Sequence, residues 1–199
     1  MSLNLPRPIT YPITSGTATP QTTPDILRFL QAVVTAQIPL FQIREKSLPA
    51  RVLYDLTVRA VEIARGTTTR LLVNDRLDIA RAAGADGVHL TSQSLPADVV
   101  RKICGPEFLI GVSTHSLGEA SAAKAAGADF VVFGPIFDTK SKRAFGQPQG
   151  LDKLREVTSD LGEFPVIAIG GVTRDNFASC IAAGASGIAG ISMFERLRQ

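Results

Sequence analysis

Ala82-Ala83-Gly84-Ala85-Asp86-Gly87-Val88-His89-Leu90 is a phrase this chain writes three times. The second copy is Ala125-Ala126-Gly127-Ala128-Asp129-Phe130-Val131-Val132-Phe133-Gly134. The third is Ala182-Ala183-Gly184-Ala185-Ser186-Gly187-Ile188-Ala189-Gly190-Ile191-Ser192. In each, alanines close a helical pattern and a glycine stops it, since glycine takes the left-handed conformation of a helix C-cap cheaply. A small residue turns the chain, and an apolar run too short for a helix reads as a buried strand. Helix, glycine and buried strand make half of a βαβ unit, and three such halves predict one sheet built by repetition.

The rest of the chain extends the pattern. Strands are expected at Ile9 to Thr14, Leu40 to Arg44, Arg70 to Asn74, Val88 to Leu90, Leu109 to Ser113, Phe130 to Gly134, Pro165 to Ile169 and Ile188 to Ile191. Pro12 weakens the first, because proline cannot donate to a ladder. Helices are expected at Asp25 to Ala36, Pro49 to Ala64, Asp75 to Ala83, Pro96 to Ile103, Leu117 to Ala126, Leu151 to Leu161 and Asn176 to Ala183. Pro96 suits a first helical turn, and Ser116 an N-cap. Only Met193 to Gln199 remains for an eighth helix, which is therefore expected to be short. Short apolar strands alternating with helices suit a parallel sheet buried on both faces. Eight such units predict a compact α/β fold, a (β/α)₈ TIM barrel forming a single domain over residues 1–199. A doubly wound sheet is the rival, but it gathers its ligand at one switch point, whereas here polar residues stand at almost every strand end.

The 199 residues suffice for one good core. With 45% apolar and 20% charged residues the chain is globular. A net charge of +3 is too mild for nucleic acid and suits a small anionic substrate. Cys104 and Cys180 form no Cys-x-x-Cys and read as small buried hydrophobes of a reducing compartment. Met1 to Thr10 lacks a charged leader followed by an apolar core, so no signal peptide is expected. No apolar run approaches the ~20 residues of a membrane span, so the expected place is the cytoplasm. Oligomeric state stays open, a homo-oligomer included.

In a (β/α)₈ barrel, chemistry sits at the C-terminal mouth of the strands. Gln42, Arg44 and Lys46 alternate, so they share one face, with Phe41 and Ile43 turned toward the helices. Polar groups facing the interior are costly without partners, and an anionic ligand answers that cost; pairing with Glu45 at the rim is the plainer reading. Asn74-Asp75-Arg76 closes the third strand. Asp75 reads either as an oxygen ligand for a divalent cation shared with phosphate or as an N-cap; Asp78 reads as structural. His89 and His115 are the only histidines, and His115, after Ser113-Thr114, is the better acid or base. The long loop after Phe133 carries Thr139, Lys140, Ser141 and Lys142, hydroxyls and ammonium groups suited to phosphate. Gly170-Gly171 after the seventh strand lets backbone N–H groups approach an anion. Ile191-Ser192 after the eighth completes the usual phosphate site of this fold.

Taken in order, Tyr11-Pro-Ile-Thr14, Gln42-Ile-Arg-Glu-Lys46, Val73-Asn-Asp-Arg76, Ala85-Asp-Gly-Val-His-Leu90, Gly111-Val-Ser-Thr-His-Ser116, Gly134-Pro-Ile-Phe137 with Thr139 and Lys142, and Ala168-Ile-Gly-Gly171 resemble the thiamine-phosphate synthase and thiazole tautomerase superfamily. The resemblance covers nearly the whole chain and lies closer to the synthases. It implies a transferase that joins a pyrimidine methyl diphosphate to a thiazole phosphate, giving thiamine phosphate and pyrophosphate. It also implies roles: Gln42, Arg44, Lys46, Asn74, Ser113, Thr139, Ser141 and Lys142 on the pyrimidine diphosphate; Gly171, Ile191 and Ser192 on the thiazole phosphate; Asp75 on Mg²⁺. His115 matches the tautomerase histidine. One departure matters. Where the synthases carry Gly-Gln-x-Asp after the histidine strand, this chain has Thr91-Ser92-Gln93-Ser94, so Ser94 replaces a metal-binding carboxylate. Ser15 likewise stands where Asp is common, and Asp138 is the candidate replacement ligand. The tautomerase, and a non-catalytic binder of phosphorylated ligands, are the alternatives.

Overall fold

In the computed structural model, residues 5–138 and 147–198 are described. Eight strands run in one direction: β1 (Ile9–Pro12), β2 (Leu40–Ile43), β3 (Arg70–Asn74), β4 (Gly87–Leu90), β5 (Leu109–Thr114), β6 (Phe130–Phe133), β7 (Val166–Ala168) and β8 (Gly187–Gly190). Each pairs in parallel with its neighbour in the order β1-β8-β7-β6-β5-β4-β3-β2. The ring closes where Ile13 bridges Gln42 and the Thr14 N–H donates to the Gln42 carbonyl at 3.0 Å. The helices are α1 (Thr23–Thr35), α2 (Ala50–Ala64), α3 (Leu77–Ala83), α4 (Ala97–Cys104), α5 (Leu117–Ala125), α6 (Gly150–Leu161) and α7 (Phe177–Ala182). The chain is a (β/α)₈ barrel.

Alternation along the strands sorts the side chains. Phe41, Ile43, Leu71, Val73, Val131 and Phe133 face the helices and form the larger core with them. Leu40, Leu72, Phe130 and Val132 face inward with Ile9, Tyr11, Ile167 and Ala189 and fill the barrel. Both faces of every strand are therefore removed from water, which is why these strands read as continuous apolar runs.

The threefold phrase folds the same way each time. Gly84, Gly127 and Gly184 take φ of 75°, 86° and 91°. The following N–H then reaches back five residues, Ala85 to Ala80 at 2.9 Å, Ala128 to Ala123 at 3.1 Å and Ala185 to Cys180 at 3.1 Å. This is the helix-ending hydrogen bond that a left-handed residue permits. The next residue has a task that spacing alone does not reveal. The Asp86 carboxylate accepts the Leu71 N–H at 2.8 Å, and the Asp129 carboxylate accepts the Ile110 N–H at 2.7 Å. Each carboxylate thus stitches the start of a neighbouring strand to the barrel floor and takes an arginine too, Arg70 and Arg101 respectively.

The first strand forms despite Pro12, which stays within β1 in register with Gly190, because the strand meets its β2 neighbour only beyond it, at Ile13. Two local expectations are corrected. Asp75 is not a helix cap: α3 starts at Leu77, and Asp75 itself sits at φ 64°. Pro96 precedes α4 rather than occupying its first turn. Ser116 does cap α5, accepting the Glu119 N–H at 3.2 Å. The short C-terminal segment winds as a 3₁₀ helix, Ser192–Arg198.

Removing a shielded carboxylate strands a backbone N–H and takes the counter-charge from an arginine. The side chain of Asp129 is 14% exposed and that of Asp86 29%. Asp129→Ala is expected to lower stability by about 2–3 kcal/mol and Asp86→Ala by roughly half that. Urea denaturation of both variants measures the difference.

Candidate active site

The mouth of the barrel is lined by residues from almost every strand. Gln42, at the end of β2, points inward and is buried. Its Nε2 donates to the Tyr11 hydroxyl at 2.9 Å. That hydroxyl lies 3.5 Å from His89 Nδ1, and His89 Nε2 lies 2.9 Å from Ser113 Oγ. Four side chains from β2, β1, β4 and β5 thus form one polar row across the interior. Burial pushes the Tyr11 phenol far above its usual pKa, so it stays neutral and protonated. Tyr11 meets Phe130 edge to face, with ring centroids 5.6 Å apart. Gly111 makes room for this packing: a Cβ there would lie 2.4 Å from the Phe130 ring and 2.8 Å from His89 Nδ1.

Above the row stand the cations. Arg44 is half-buried and Lys46 exposed. Glu45 does not neutralise them. Its carboxylate is buried and accepts the N–H groups of Gly16 at 3.0 Å and Ala18 at 2.9 Å. It therefore ties down the β1–α1 loop. The Arg44 guanidinium lies against this loop, so close that a Cβ on Gly16 would sit 2.8 Å from Nη1. Among the described residues, neither Arg44 nor Lys46 has a carboxylate partner. Lys46 shares a cavity of about 130 Å³ with Glu45, Asn74, Asp75 and Arg76.

Asp75 faces that cavity from the tip of β3 in a left-handed conformation. Its neighbour Asp78 is held below the usual carboxylate range by its hydrogen bond to Arg76 and is structural. Ser94 is turned to its own loop, where its hydroxyl accepts the Thr91 N–H at 2.8 Å. Among the described residues no three His, Cys, Asp or Glu side chains gather as a metal cage. A single carboxylate beside a lysine fits a Mg²⁺ ion that is carried largely by phosphate oxygens and water.

The other half of the mouth is backbone. Gly170 and Gly171, at φ 92° and 66°, let the segment after β6 lie directly on them. A Cβ on Gly171 would meet Phe137 Cβ at 2.7 Å, and the Phe137 N–H donates to the Gly170 carbonyl at 2.9 Å. Asn176 then clamps the loop, donating to the Gly171 carbonyl at 3.0 Å and accepting the Thr173 N–H at 2.7 Å. Ala168 is level with Ile188, so the Gly170-Gly171 turn and the Ile191-Ser192 segment follow the ends of adjacent strands. His115 is exposed outside the row, just before the Ser116 cap of α5, with Glu119 Oε2 3.3 Å from its Nδ1. Thr139, Ser141 and Lys142 lie outside the described residues.

This arrangement of cations, amides and a dry polar floor has relatives. Residues 10–194 match the family described as thiamine monophosphate synthase. The chain belongs to this family. It is 46% identical over 153 residues to thiamine-phosphate synthase of Methanoculleus marisnigri, spanning 77% of this chain and 72% of that one. It is 43% identical over 166 residues to thiamine-phosphate synthase of Moorella thermoacetica, spanning 83% and 79%. Among solved structures, thiamine phosphate pyrophosphorylase from Pyrococcus furiosus superposes with a TM-score of 0.79 at 30% identity, over 96% of this chain and 92% of that one.

Sequence reasoning ranked His115 above His89, yet His89 is the histidine inside the barrel. The usable signal was strand parity: His89 and Ser113 fall on inward positions and His115 falls past the strand end. The Glu45→Ala variant is expected to release the Gly16 and Ala18 amides. Hydrogen exchange at these two positions should accelerate at least ~10-fold, since a charged acceptor contributes about 1.5–3 kcal/mol, while exchange in β4 and β5 stays unchanged.

Proposed function

We infer that this protein is a thiamine-phosphate synthase, a transferase that joins 4-amino-2-methylpyrimidin-5-ylmethyl diphosphate to thiazole phosphate. The observation that supports this reading is a pair of cations, Arg44 and Lys46, with no ion-pair partner among the described residues, above a buried polar floor at the mouth where the Gly170-Gly171 turn also emerges. Such a mouth takes two phosphorylated rings side by side. Arg44 and Lys46, with Asn74 and with Thr139, Ser141 and Lys142 of the following loop, hold the diphosphate. Gln42 and Ser113 hold the pyrimidine. The Gly171, Ile191 and Ser192 backbone and hydroxyl hold the thiazole phosphate.

The bond accounting is simple. The methylene carbon–oxygen bond breaks, pyrophosphate leaves with the electron pair, and the thiazole nitrogen donates its lone pair to that carbon. Fixed cations favour this step because charge on the leaving group grows as the bond stretches. Tyr11, Phe130, Val132 and Ile167 keep the floor dry, so the electron-poor carbon meets the thiazole nitrogen rather than water. Asp75 would hold Mg²⁺, which neutralises leaving-group charge when bound. Asp138, exposed after β6, is the residue proposed to share the cation in place of Ser94.

No proton need move in this step, so His115 is not required for it. His115 belongs to the alternative, isomerisation of a thiazole carboxylate phosphate, where an exposed imidazole beside Glu119 suits proton transfer.

Purified protein with both substrates and Mg²⁺ should form thiamine phosphate, detected by chromatography. Arg44→Ala should lower kcat/KM about 10²-fold or more. Asp75→Asn should raise the Mg²⁺ concentration for half-maximal rate, and an unchanged requirement in Asp138→Ala would remove Asp138 from the site. Absence of product, together with thiazole isomerisation that is lost in His115→Ala, would select the tautomerase. Binding of either phosphate without turnover would select a ligand carrier.

A further inference from the structure

In the turn after β7, three successive carbonyls are taken and the three N–H groups that share their peptide planes are not. The Ile169 carbonyl accepts the Ile136 N–H at 2.9 Å, and the Gly170 carbonyl accepts the Phe137 N–H at 2.9 Å. The Gly171 carbonyl accepts from Asn176 Nδ2 at 3.0 Å. The N–H groups of Gly170, Gly171 and Val172 make no hydrogen bond among the described residues. All three peptides are trans, so each N–H points opposite to the carbonyl of its own plane. Three adjacent donors, with their acceptors turned away and tied down, suit an anion. That this anion is the phosphate of a thiazole rests on the synthase reading above.

The first two carbonyls are held by the backbone of the segment after β6, which lies directly on the turn. Among the described residues, the third is held by a side chain only. It is also the one most in need of holding. The peptide that follows a glycine can flip at little cost, because glycine tolerates most backbone angles. A flip of the Gly171–Val172 peptide would put a carbonyl oxygen where the Val172 N–H stands, and set a negative pole against a bound anion. Asn176 opposes the flip with both halves of its amide: Nδ2 holds the Gly171 carbonyl, and Oδ1 accepts the Thr173 N–H at 2.7 Å. Aspartate could accept but not donate here; an amide carries both functions on separate atoms. The clamp stands on a fixed base, since Asn176 immediately precedes α7 and its own carbonyl accepts the Ser179 N–H at 3.1 Å. We propose that Asn176 is a positioning residue that locks the Gly171–Val172 peptide with its N–H turned to the substrate phosphate, so that affinity for the thiazole phosphate depends on a side chain acting through the backbone.

Calorimetry on the full chain tests the lock with three ligands, each added without the others: thiazole phosphate, its dephosphorylated alcohol, and the pyrimidine methyl diphosphate. In Asn176→Ala, thiazole phosphate should bind about tenfold more weakly, the worth of one hydrogen bond to a charged group. The alcohol and the diphosphate should keep their Kd within about twofold, a selectivity that general loosening of the fold would not produce. Asn176→Ser, which keeps a helix-capping hydroxyl but cannot span from Gly171 to Thr173, should show the same selectivity and serves if the alanine variant does not fold. Ser179→Ala is the control. It removes the hydroxyl that donates to the Asn176 carbonyl at 2.6 Å and leaves the Asn176 amide in place, so it should bind all three ligands as the wild type does. Unchanged thiazole phosphate affinity in both Asn176 variants, equal weakening of all three ligands, or a matching loss in Ser179→Ala would overturn the proposal. If the unchanged affinity accompanies thiamine phosphate formation, the lock falls and the synthase reading stands. If thiazole phosphate weakens selectively but no thiamine phosphate forms, the synthase reading falls and the lock stands. A wild-type protein that binds no thiazole phosphate overturns both.

Discussion

A side chain that points into an eight-stranded parallel barrel is cut off from water at the waist and must find its partners there. This constraint governs the molecule. The apolar members of the interior satisfy it by packing, with Phe130 and Tyr11 as the largest pieces. The polar members, Gln42, Tyr11, His89 and Ser113, satisfy it by bonding to one another. Neither solution works alone. Gly111 yields its side-chain volume to Phe130 and His89, so the polar row exists only because the packing leaves it a channel. A buried network of this kind is stabilising when every member is satisfied and costly when one is not.

The same constraint separates floor from rim. Arg44 and Lys46 follow Gln42 at alternate positions, but each step up the strand moves toward solvent: Gln42 is buried, Arg44 half-buried and Lys46 exposed. The residue between them, Glu45, is buried and spent on the Gly16 and Ala18 amides. A carboxylate adjacent in sequence to two cations is therefore not their counter-ion. It holds the β1–α1 loop against which the Arg44 guanidinium rests, and leaves the positive charge of the rim for a ligand.

Periodicity and punctuation made the barrel legible. The glycine of each repeated phrase predicted a helix end, and the three matching five-residue hydrogen bonds follow from it. The alternation rule also placed Phe41 and Ile43 with the helices and Gln42 inside. What stayed hidden was long-range. Nothing local in Asp86 or Asp129 tells that its carboxylate reaches the backbone of the preceding strand, since that contact depends on barrel curvature. Asp75 could be read as a helix cap as well as a cation ligand, because carboxylates precede helices so often; its φ of 64° turns it at the strand tip, and α3 begins two residues later. Tyr11 entered the family pattern but showed no chemical role of its own in the sequence. A tyrosine before a proline in a first strand is ordinary until β1 is brought beside β2 and its hydroxyl meets a glutamine 31 residues away.

Ser94 shows how family pattern and local chemistry interact. A carboxylate at this place would reinforce Asp75 and build a two-ligand site on the protein. The serine instead closes its own turn through the Thr91 N–H, and the charge is gone. On the proposed reading, one carboxylate would hold Mg²⁺ less firmly than a Mg²⁺–diphosphate complex, because most ligands of that complex are the substrate's own oxygens and water. Arg44 and Lys46 would compensate in the same direction by attracting the diphosphate directly, so that the diphosphate rather than the free cation would be what such a rim captures.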